Sequence, residues 1–445
     1  MRPLLVFVFV FFHALNAQDV FVLCEGNFQT PNASVWRFNP ANPDNPAQRW
    51  NWYYNASEPN GGNPLGDTGQ HLSLFDDEMF VVCNNSHNIE YVKFINDEPV
   101  HVESIILSGS SPRQVMMHED ILYVASWGVS GILVLDKETF GIIDTISLPA
   151  VPEDMVLDGY TLYVSMIQDL AWNKYDGVAK IDLISREMVH EYKVVRGANK
   201  MVLADSLLYV TGTWFDESWN ALTGTSVINV STGDVSTREY GMTPNFSENI
   251  LAADQGIFRL FRKDIYPVEQ DGSLGSEPIL TDIAGSLETV YSISWIDGRW
   301  YAGITDDYMA PDYVRIFENN IQIAEFTVGP LPRNFVSYNP IYASTQDYEN
   351  IYLKKEFNII AGPNPFNSRT KIHCYLPETG GIISGFISNI QGKIIHTFTE
   401  TEISQGNAEF YWEATRESSG LYIASFIFRS DRQTYYQNSK LILLK

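Results

Sequence analysis

The chain has 445 residues, and its 54 acidic side chains outnumber the 29 basic ones to give a formal charge of −25. Such a surface repels nucleic-acid phosphates and anionic lipid head groups, which argues against any polyanion as partner. Three cysteines are too few for a disulfide framework in a chain of this length, so Cys24 and Cys83 read as buried thiols.

At the N-terminus Arg2 precedes an apolar run, Leu4–Phe12, and then Ala14-Leu15-Asn16-Ala17. That order of charged, apolar and small residues reads as a signal peptide over 1–17, cleaved before Gln18. The run is shorter than the roughly 20 residues that span a bilayer, and no comparable run follows. The mature chain is expected to be a soluble monomer without a transmembrane helix. Cys24 follows Phe21-Val22-Leu23 rather than a small-residue lipobox, so no lipid anchor is expected.

From Gln18 onward a repeat organises the chain. An aromatic residue inside a short apolar strand recurs at Phe21, Phe80, Tyr123, Tyr163, Tyr209, Phe258 and Tyr301, at intervals of 59, 43, 40, 46, 49 and 43 residues. Four short antiparallel strands with their turns need about 40–50 residues, the size of one β-propeller blade. In the clearest copy the strands fall at Gln114–Met117, Ile121–Ala125, Ile132–Leu135 and Ile142–Ile146, with Asp136 and Gly141 marking the third turn. Asp182, Asn229 and Asn39 hold the place of Asp136 in other copies, where a short polar side chain can bond the backbone two residues on. The recurring aromatic is expected to pack between neighbouring blades.

The copies, best seen in Pro152-Glu153-Asp154-Met155-Val156, Asp158-Gly159 and Leu162-Tyr163-Val164, resemble the YVTN-type repeats of surface-layer and YncE-like seven-bladed propellers. The resemblance covers most of Gln18–Thr345 and implies a scaffold, not an activity. Phe21 lies too close to the cleavage site for a strand to precede it, while Gly329-Pro330-Leu331-Pro332-Arg333-Asn334-Phe335-Val336 echoes Gly109-Ser110-Ser111-Pro112-Arg113-Gln114-Val115-Met116. Asn334–Tyr338 is therefore expected to supply the missing innermost strand of blade one and close the ring. Ile341-Tyr342-Ala343-Ser344 would make an eighth copy, so eight blades are the alternative.

In this topology the entry to each innermost strand shares a face with the loop joining strands two and three. Nine residues before each repeat aromatic stand His71, Gln114, Asp154, Lys200, Asn249 and Ser292, with Arg333 or Asn334 completing blade one. All are polar, which fits a water-filled channel mouth as well as a binding site. The loops on that face carry Trp127, Trp172, Trp214, Trp219, Asp216 and Asp307. Exposed rings beside carboxylates suit an extracellular glycan or protein, although they also serve simply to cover blade ends.

Signals for catalysis are weak: no Gly-x-Ser-x-Gly, His-Glu-x-x-His, phosphate-binding glycine loop or Cys-x-x-Cys is present. A metal-dependent lactonase or hydrolase would have to draw on Asp154, Asn249 and Glu153 or Glu248. No cofactor is called for, with Ca2+ the one ion such oxygens would suit. The reading favours a binding protein over an enzyme, and a passive surface-layer component is the third class.

The last segment changes character, with charge nearly balanced and strands set apart by turn signals. Gly362-Pro363-Asn364-Pro365-Phe366-Asn367 opens it, Ile387-Ser388-Asn389-Ile390-Gln391-Gly392-Lys393 follows, then Trp412 and Ser419-Gly420-Leu421-Tyr422, and Lys440-Leu441-Ile442-Leu443-Leu444-Lys445 ends it. This order resembles the type A C-terminal sorting domain of the bacterial type IX (Por) secretion system. The resemblance implies a small immunoglobulin-like β-sandwich, the type IX machinery as partner, and a secreted or outer-membrane surface-attached product that passes through the periplasm. The expected organisation is an all-β chain: signal peptide 1–17, propeller 18–348, linker 349–361 and sorting domain 362–445.

Overall fold

The computed structural model describes residues 19–43, 49–51, 65–95, 97–243, 249–309, 311–339, 357–362, 366–376, 380–389, 393–403, 407–430 and 434–445. The expected signal peptide, the candidate eighth copy at 341–344, Glu248 and Pro363-Asn364-Pro365 lie outside these residues. All strand pairs are antiparallel, and among the described residues there is no helix. The chain divides into two compact units, 1–352 and 353–445.

The first unit contains seven sheets among its described residues. Their innermost strands are Pro332–Tyr338, Gly69–Phe75, Pro112–His118, Val151–Asp158, Ala198–Ala204, Ile250–Ala253 and Thr289–Ile296. Each touches the next in that order, and Thr289–Ile296 returns to Pro332–Tyr338, so the innermost strands form a closed ring. Closure comes from the chain's own end, because Pro332–Tyr338 pairs with Asp19–Cys24 from Tyr338 opposite Asp19 to Asn334 opposite Leu23. The sheet that starts the chain thereby gains its inner strand from residues more than 300 positions later, and neither inner edge is left unpaired.

Apolar layers between the sheets hold the ring together. Phe21 packs with Leu72, Met79 and Val81 of the second sheet, Phe80 with Val115 and Leu122 of the third, and Tyr123 with Met155 and Val164 of the fourth. Tyr163 continues the series with Met201 and Val210, and Tyr209 with Ile250 and Ile257. Phe258 packs with Ile293 and Ala302, and Tyr301 with Val20 and Phe38 of the first sheet. Every repeat aromatic thus occupies the layer between its own sheet and the next. The periodicity arises because a two-sided sheet in a ring must bury both faces.

The turns between third and fourth strands behave as their sequence suggests. Two residues on, Asp182 Oδ1 accepts the Ile184 N–H at 3.0 Å, Asn229 Oδ1 the Ser231 N–H at 3.0 Å and Asn39 Oδ1 the Ala41 N–H at 2.8 Å, while Asp136 Oδ1 accepts the Thr139 N–H, three residues on, at 2.8 Å. Cys24 and Cys83 are buried and free on the second strands of adjacent sheets.

The second unit is two sheets around one core. Asn358–Gly362, Arg369–Tyr375 and Asn407–Glu413 form the first; Ile394–Ile403, Gly381–Asn389, Gly420–Arg429 and Thr434–Leu443 form the second. Phe366 and Trp412 stand 5.4 Å apart, Trp412 and Tyr422 5.0 Å apart. The Phe366 N–H donates to the Ile442 carbonyl and its carbonyl accepts from Leu444. Of the residues that carry the sorting-domain resemblance, Phe366, Ile387, Trp412, Tyr422, Leu441 and Leu443 share one buried cluster, while Leu421 and Leu444 are exposed.

Candidate functional site: the mouth of the ring

At the start of most innermost strands the ladder shifts register, between Gly69 and His71, Pro112 and Gln114, Pro152 and Met155, Ala198 and Met201, and Val290 and Ser292. A bulge sets two consecutive residues against one partner and gives their side chains different tasks. The second residue of most pairs ties its sheet to the backbone of the next. Asn334 Oδ1 accepts the Leu72 N–H at 2.7 Å, Asp154 Oδ2 the Met201 N–H at 2.8 Å and Asn249 Oδ1 the Ile293 N–H at 3.4 Å. Gln114 bonds both the N–H and the carbonyl of Met155. Ser292 Oγ donates to the Pro332 carbonyl at 2.6 Å, and beside His71 the Ser73 hydroxyl donates to the Val115 carbonyl at 2.8 Å. The expected ring of polar entry residues is thus brought together, and most of its members bond the backbone of the neighbouring sheet. Asn334 rather than Arg333 holds the equivalent place in the first sheet, because the bulge shifts the count by one.

The first residues of most pairs form a further group, Arg333, Gln70, Arg113, Glu153 and Tyr291, each ten residues before its repeat aromatic where one follows; of these, Arg333 and Glu153 were named from the sequence in other roles, and Gln70, Arg113 and Tyr291 were not. Arg113 holds Glu153 through two guanidinium nitrogens and donates to Gln70 Oε1 at 2.7 Å. Its guanidinium lies 4.3 Å from the Trp127 ring, which places Trp127 half-buried over this pair. Arg333 Nη1 donates to Glu25 Oε2 at 2.7 Å, and the Tyr291 hydroxyl donates to the same oxygen. Lys200 Nζ bonds Asp154 Oδ1 at 3.1 Å. Since the Ser73 proton goes to Val115, its oxygen accepts from His71 Nδ1–H at 3.0 Å, which leaves the Nε2 lone pair unengaged by that contact.

Burial, with the nearby charges of Lys200, Arg333 and Arg113, holds the His71 pKa well below its usual value. Burial opposes ionisation of Glu153, but Arg113, with Lys200 and Arg333 behind it, outweighs burial and keeps that carboxyl below the usual range. Asp154 moves the other way, because burial exceeds the help it receives from Lys200 and the Met201 N–H.

The loops above these rings differ in what they offer. Trp214 is only 6 % exposed, inside the strand Leu207–Phe215, and does not rim the mouth as expected. Trp172 and Trp219 are 73 % and 81 % exposed. Both occupy the fourth place of the same five-residue loop, Asp169-Leu170-Ala171-Trp172-Asn173 and Asp216-Glu217-Ser218-Trp219-Asn220. Asp169 accepts from the Ala171 N–H, the Asn173 N–H and the Asn173 side chain, and Asp216 does the same with Ser218 and Asn220. These bonds hold the two carboxyls below the usual Asp range, with the Asn side chain the largest cause in each. Both tryptophans adopt left-handed backbone, φ 67° and 64°, a conformation that costs a non-glycine residue about 1–2 kcal/mol. Asp307 bonds the Met309 N–H at 2.8 Å and sets up a third exposed loop with Tyr308, whose carbonyl accepts from Asn27.

The strands that carry the two tryptophan loops, Lys174–Asp182 and Leu207–Phe215, are tied through Gly197, which donates to the Tyr175 carbonyl and accepts from the Thr213 N–H. Gly197 has φ 62°, and a Cβ there would stand 2.1 Å from the Thr213 carbonyl oxygen, so only glycine fits. An open cleft of about 620 Å³ adjoins the second loop, lined by Phe215, Trp219, Asn220, Ala221, Met242, Thr243 and Arg262.

No protein-family model and no curated protein matches the chain. Solved structures do. A Bacteroides fragilis protein designated a candidate 6-phosphogluconolactonase is 12 % identical, with a TM-score of 0.50 over 72 % of this chain and 98 % of that one. A quinoprotein alcohol dehydrogenase-like protein from Bacteroides thetaiotaomicron is 12 % identical, with a TM-score of 0.52 over 71 % of this chain and 77 % of that one.

The first unit is a β-propeller. At this identity the likeness extends to the fold alone, and the chemistry must be judged from the propeller's own residues. Among the described residues no group of three or more His, Cys, Asp or Glu stands together as a metal site. The oxygens that a hydrolase would draw on are engaged elsewhere: Glu153 by Arg113, Asp154 by Lys200 and Met201, Asn249 by Ile293. Among the described residues no helix is long and apolar enough to cross a membrane.

Proposed function

We propose that the chain is an exported seven-bladed propeller that binds an extracellular glycan or protein through the channel-mouth face, and that 362–445 is the type IX sorting domain that delivers it. One observation carries the binding half: the rings at Trp172 and Trp219 are offered to solvent on this face from loops closed by hydrogen bonds to Asp169 and Asp216. A side chain that only covered a blade end would be buried against it. The delivery half is supported by the buried cluster of Phe366, Trp412 and Tyr422 and by the signal-like N-terminus. Secretion from a type IX-competent host tests the second half: mature extracellular protein should begin at Gln18 and lack 362–445, and a chain cut before Asn358 should stay in the periplasm. Extracellular protein with an intact Lys445 would refute the sorting reading. For the first half, Glu138, exposed on the opposite face, serves as control. Once a ligand is found, Trp172→Ala should weaken it and Glu138→Ala should not.

A further inference from the structure

The two tryptophan loops are copies of one device, and that duplication is informative about the ligand. The pattern Asp-x-x-Trp-Asn recurs in adjacent blades with the same set of bonds and the same left-handed tryptophan. Both loops sit between the same strands of their sheets, with Gln168 opposite Lys174 in one and Phe215 opposite Ala221 in the other. Two like loops on adjacent blades, whose supporting strands are tied through Gly197, suit a ligand whose units also repeat.

The surrounding chemistry narrows the class. The ten loop residues include Asp169, Asp216 and Glu217 and no basic side chain, within a chain of net charge −25. Phosphorylated, sulfated or uronic-acid polymers are repelled by such a field. A protein partner needs on the order of 1,000 Å² of continuous contact, whereas the loops present separate flat rings framed by amides and carboxylates. Those frames suit hydroxyl groups, and the rings suit the C–H faces of pyranose units. The cleft beside Trp219, with Phe215, Met242, Thr243 and one basic side chain, Arg262, in its wall, extends the track beyond the second ring.

We propose that Trp172 and Trp219, presented by twin Asp-x-x-Trp-Asn loops on adjacent blades, form a two-ring platform that binds a neutral polysaccharide chain. This rests on the reading of the mouth as the binding face and names the ligand class for it.

Affinity electrophoresis of the full chain in gels cast with neutral polymers (β-glucan, galactomannan, xyloglucan and starch) or acidic ones (alginate and polygalacturonate) tests it. At least one neutral polymer should retard the protein, and the acidic ones should not. Trp172→Ala and Trp219→Ala should each weaken retention tenfold or more, and the double variant should abolish it. Because both rings are exposed, the melting temperatures of these variants should match that of the parent, which separates lost binding from lost fold. Binding of soluble oligosaccharides should rise steeply at the length that reaches both rings. Retention by acidic polymers alone, or retention indifferent to both substitutions, would overturn the proposal. If no polymer is retained but a purified surface protein binds in a tryptophan-dependent way, the glycan class fails and the face stands; if Glu138→Ala abolishes binding and the tryptophan variants do not, the face fails too.

Discussion

Gln114 holds both polar groups of a single backbone residue in the next blade: its Oε1 accepts the Met155 N–H and its Nε2 donates to the Met155 carbonyl at 3.2 Å. A bulge at Pro112–Gln114 aims the side chain across the gap, and both partners are buried. Asn334, Asp154 and Asn249 repeat the half of this contact that accepts an N–H. Polar side chains at blade entries are therefore a seam that runs around the ring. It satisfies backbone groups that the bulges remove from the ladder.

The seam predicts a particular mutational cost. Gln114→Ala leaves the Met155 N–H and carbonyl without this partner in a buried setting, a loss of about 1–3 kcal/mol. Gln114→Glu should recover the acceptor half only. Urea unfolding of the propeller checks this, and a Gln114→Ala variant as stable as the parent would show that water replaces the amide without penalty.

Aromatic truncations should divide by layer. Tyr163 is 2 % exposed between two blades and Tyr308 is 48 % exposed on a loop. Tyr163→Ala should cost about 3–5 kcal/mol, as large truncations in cores do, and Tyr308→Ala far less. Equal losses by denaturant titration would contradict the packing described. Trp214, buried, belongs with Tyr163: Trp214→Ala should lower stability where Trp172→Ala does not.

Much of the propeller is legible in the sequence because one physical demand repeats. A blade must bury both faces, so an aromatic returns at nearly constant spacing, and Phe21 through Tyr301 mark seven sheets among the described residues. The closing strand was legible too, since 329–336 repeats the entry sequence of 109–116. The site was less so. A bulge leaves no mark in composition, so Arg333 and Asn334 were left as alternatives in blade one, Glu153 was weighed only as a metal oxygen, and Gln70, Arg113 and Tyr291 were passed over. Trp214 looked like a loop residue because its strand runs to Phe215, five residues past the end of the apolar run at Val210. The twin loops carried a usable signal, the matching 169–173 and 216–220, which only an alignment of blade with blade brings out.

His71 predicts a pH dependence. Its folded pKa is held well below the usual value by burial and by the charges of Lys200, Arg333 and Arg113, while an unfolded histidine titrates near 6.5. The unfolded chain therefore binds more protons as pH drops below about 6.5, and this contribution to stability is present above that pH and lost below it, by up to about 1.4 kcal/mol per pH unit. Thermal melts from pH 8 to 5 should show His71→Gln with a shallower decline than the parent. Parallel curves would mean that His71 is not the group responsible.

The aspartates of the twin loops predict a second dependence at lower pH. Hydrogen bonds from the Asn173 and Asn220 side chains, then from their backbone N–H groups, depress the pKa values of Asp169 and Asp216. A depressed carboxyl stabilises the folded loop above the unfolded value of about 3.9 and loses that effect as pH falls through the folded value. The double variant Asp169→Ala, Asp216→Ala should therefore differ from the parent at pH 7 and converge with it only as pH falls below the depressed folded values, since protonation and truncation both remove the carboxylate. Acrylamide quenching of tryptophan fluorescence reads the loops directly, against a Trp172→Ala, Trp219→Ala background that removes their signal. Equal quenching of parent and variant at pH 7 would show that the carboxylates do not hold the rings in place.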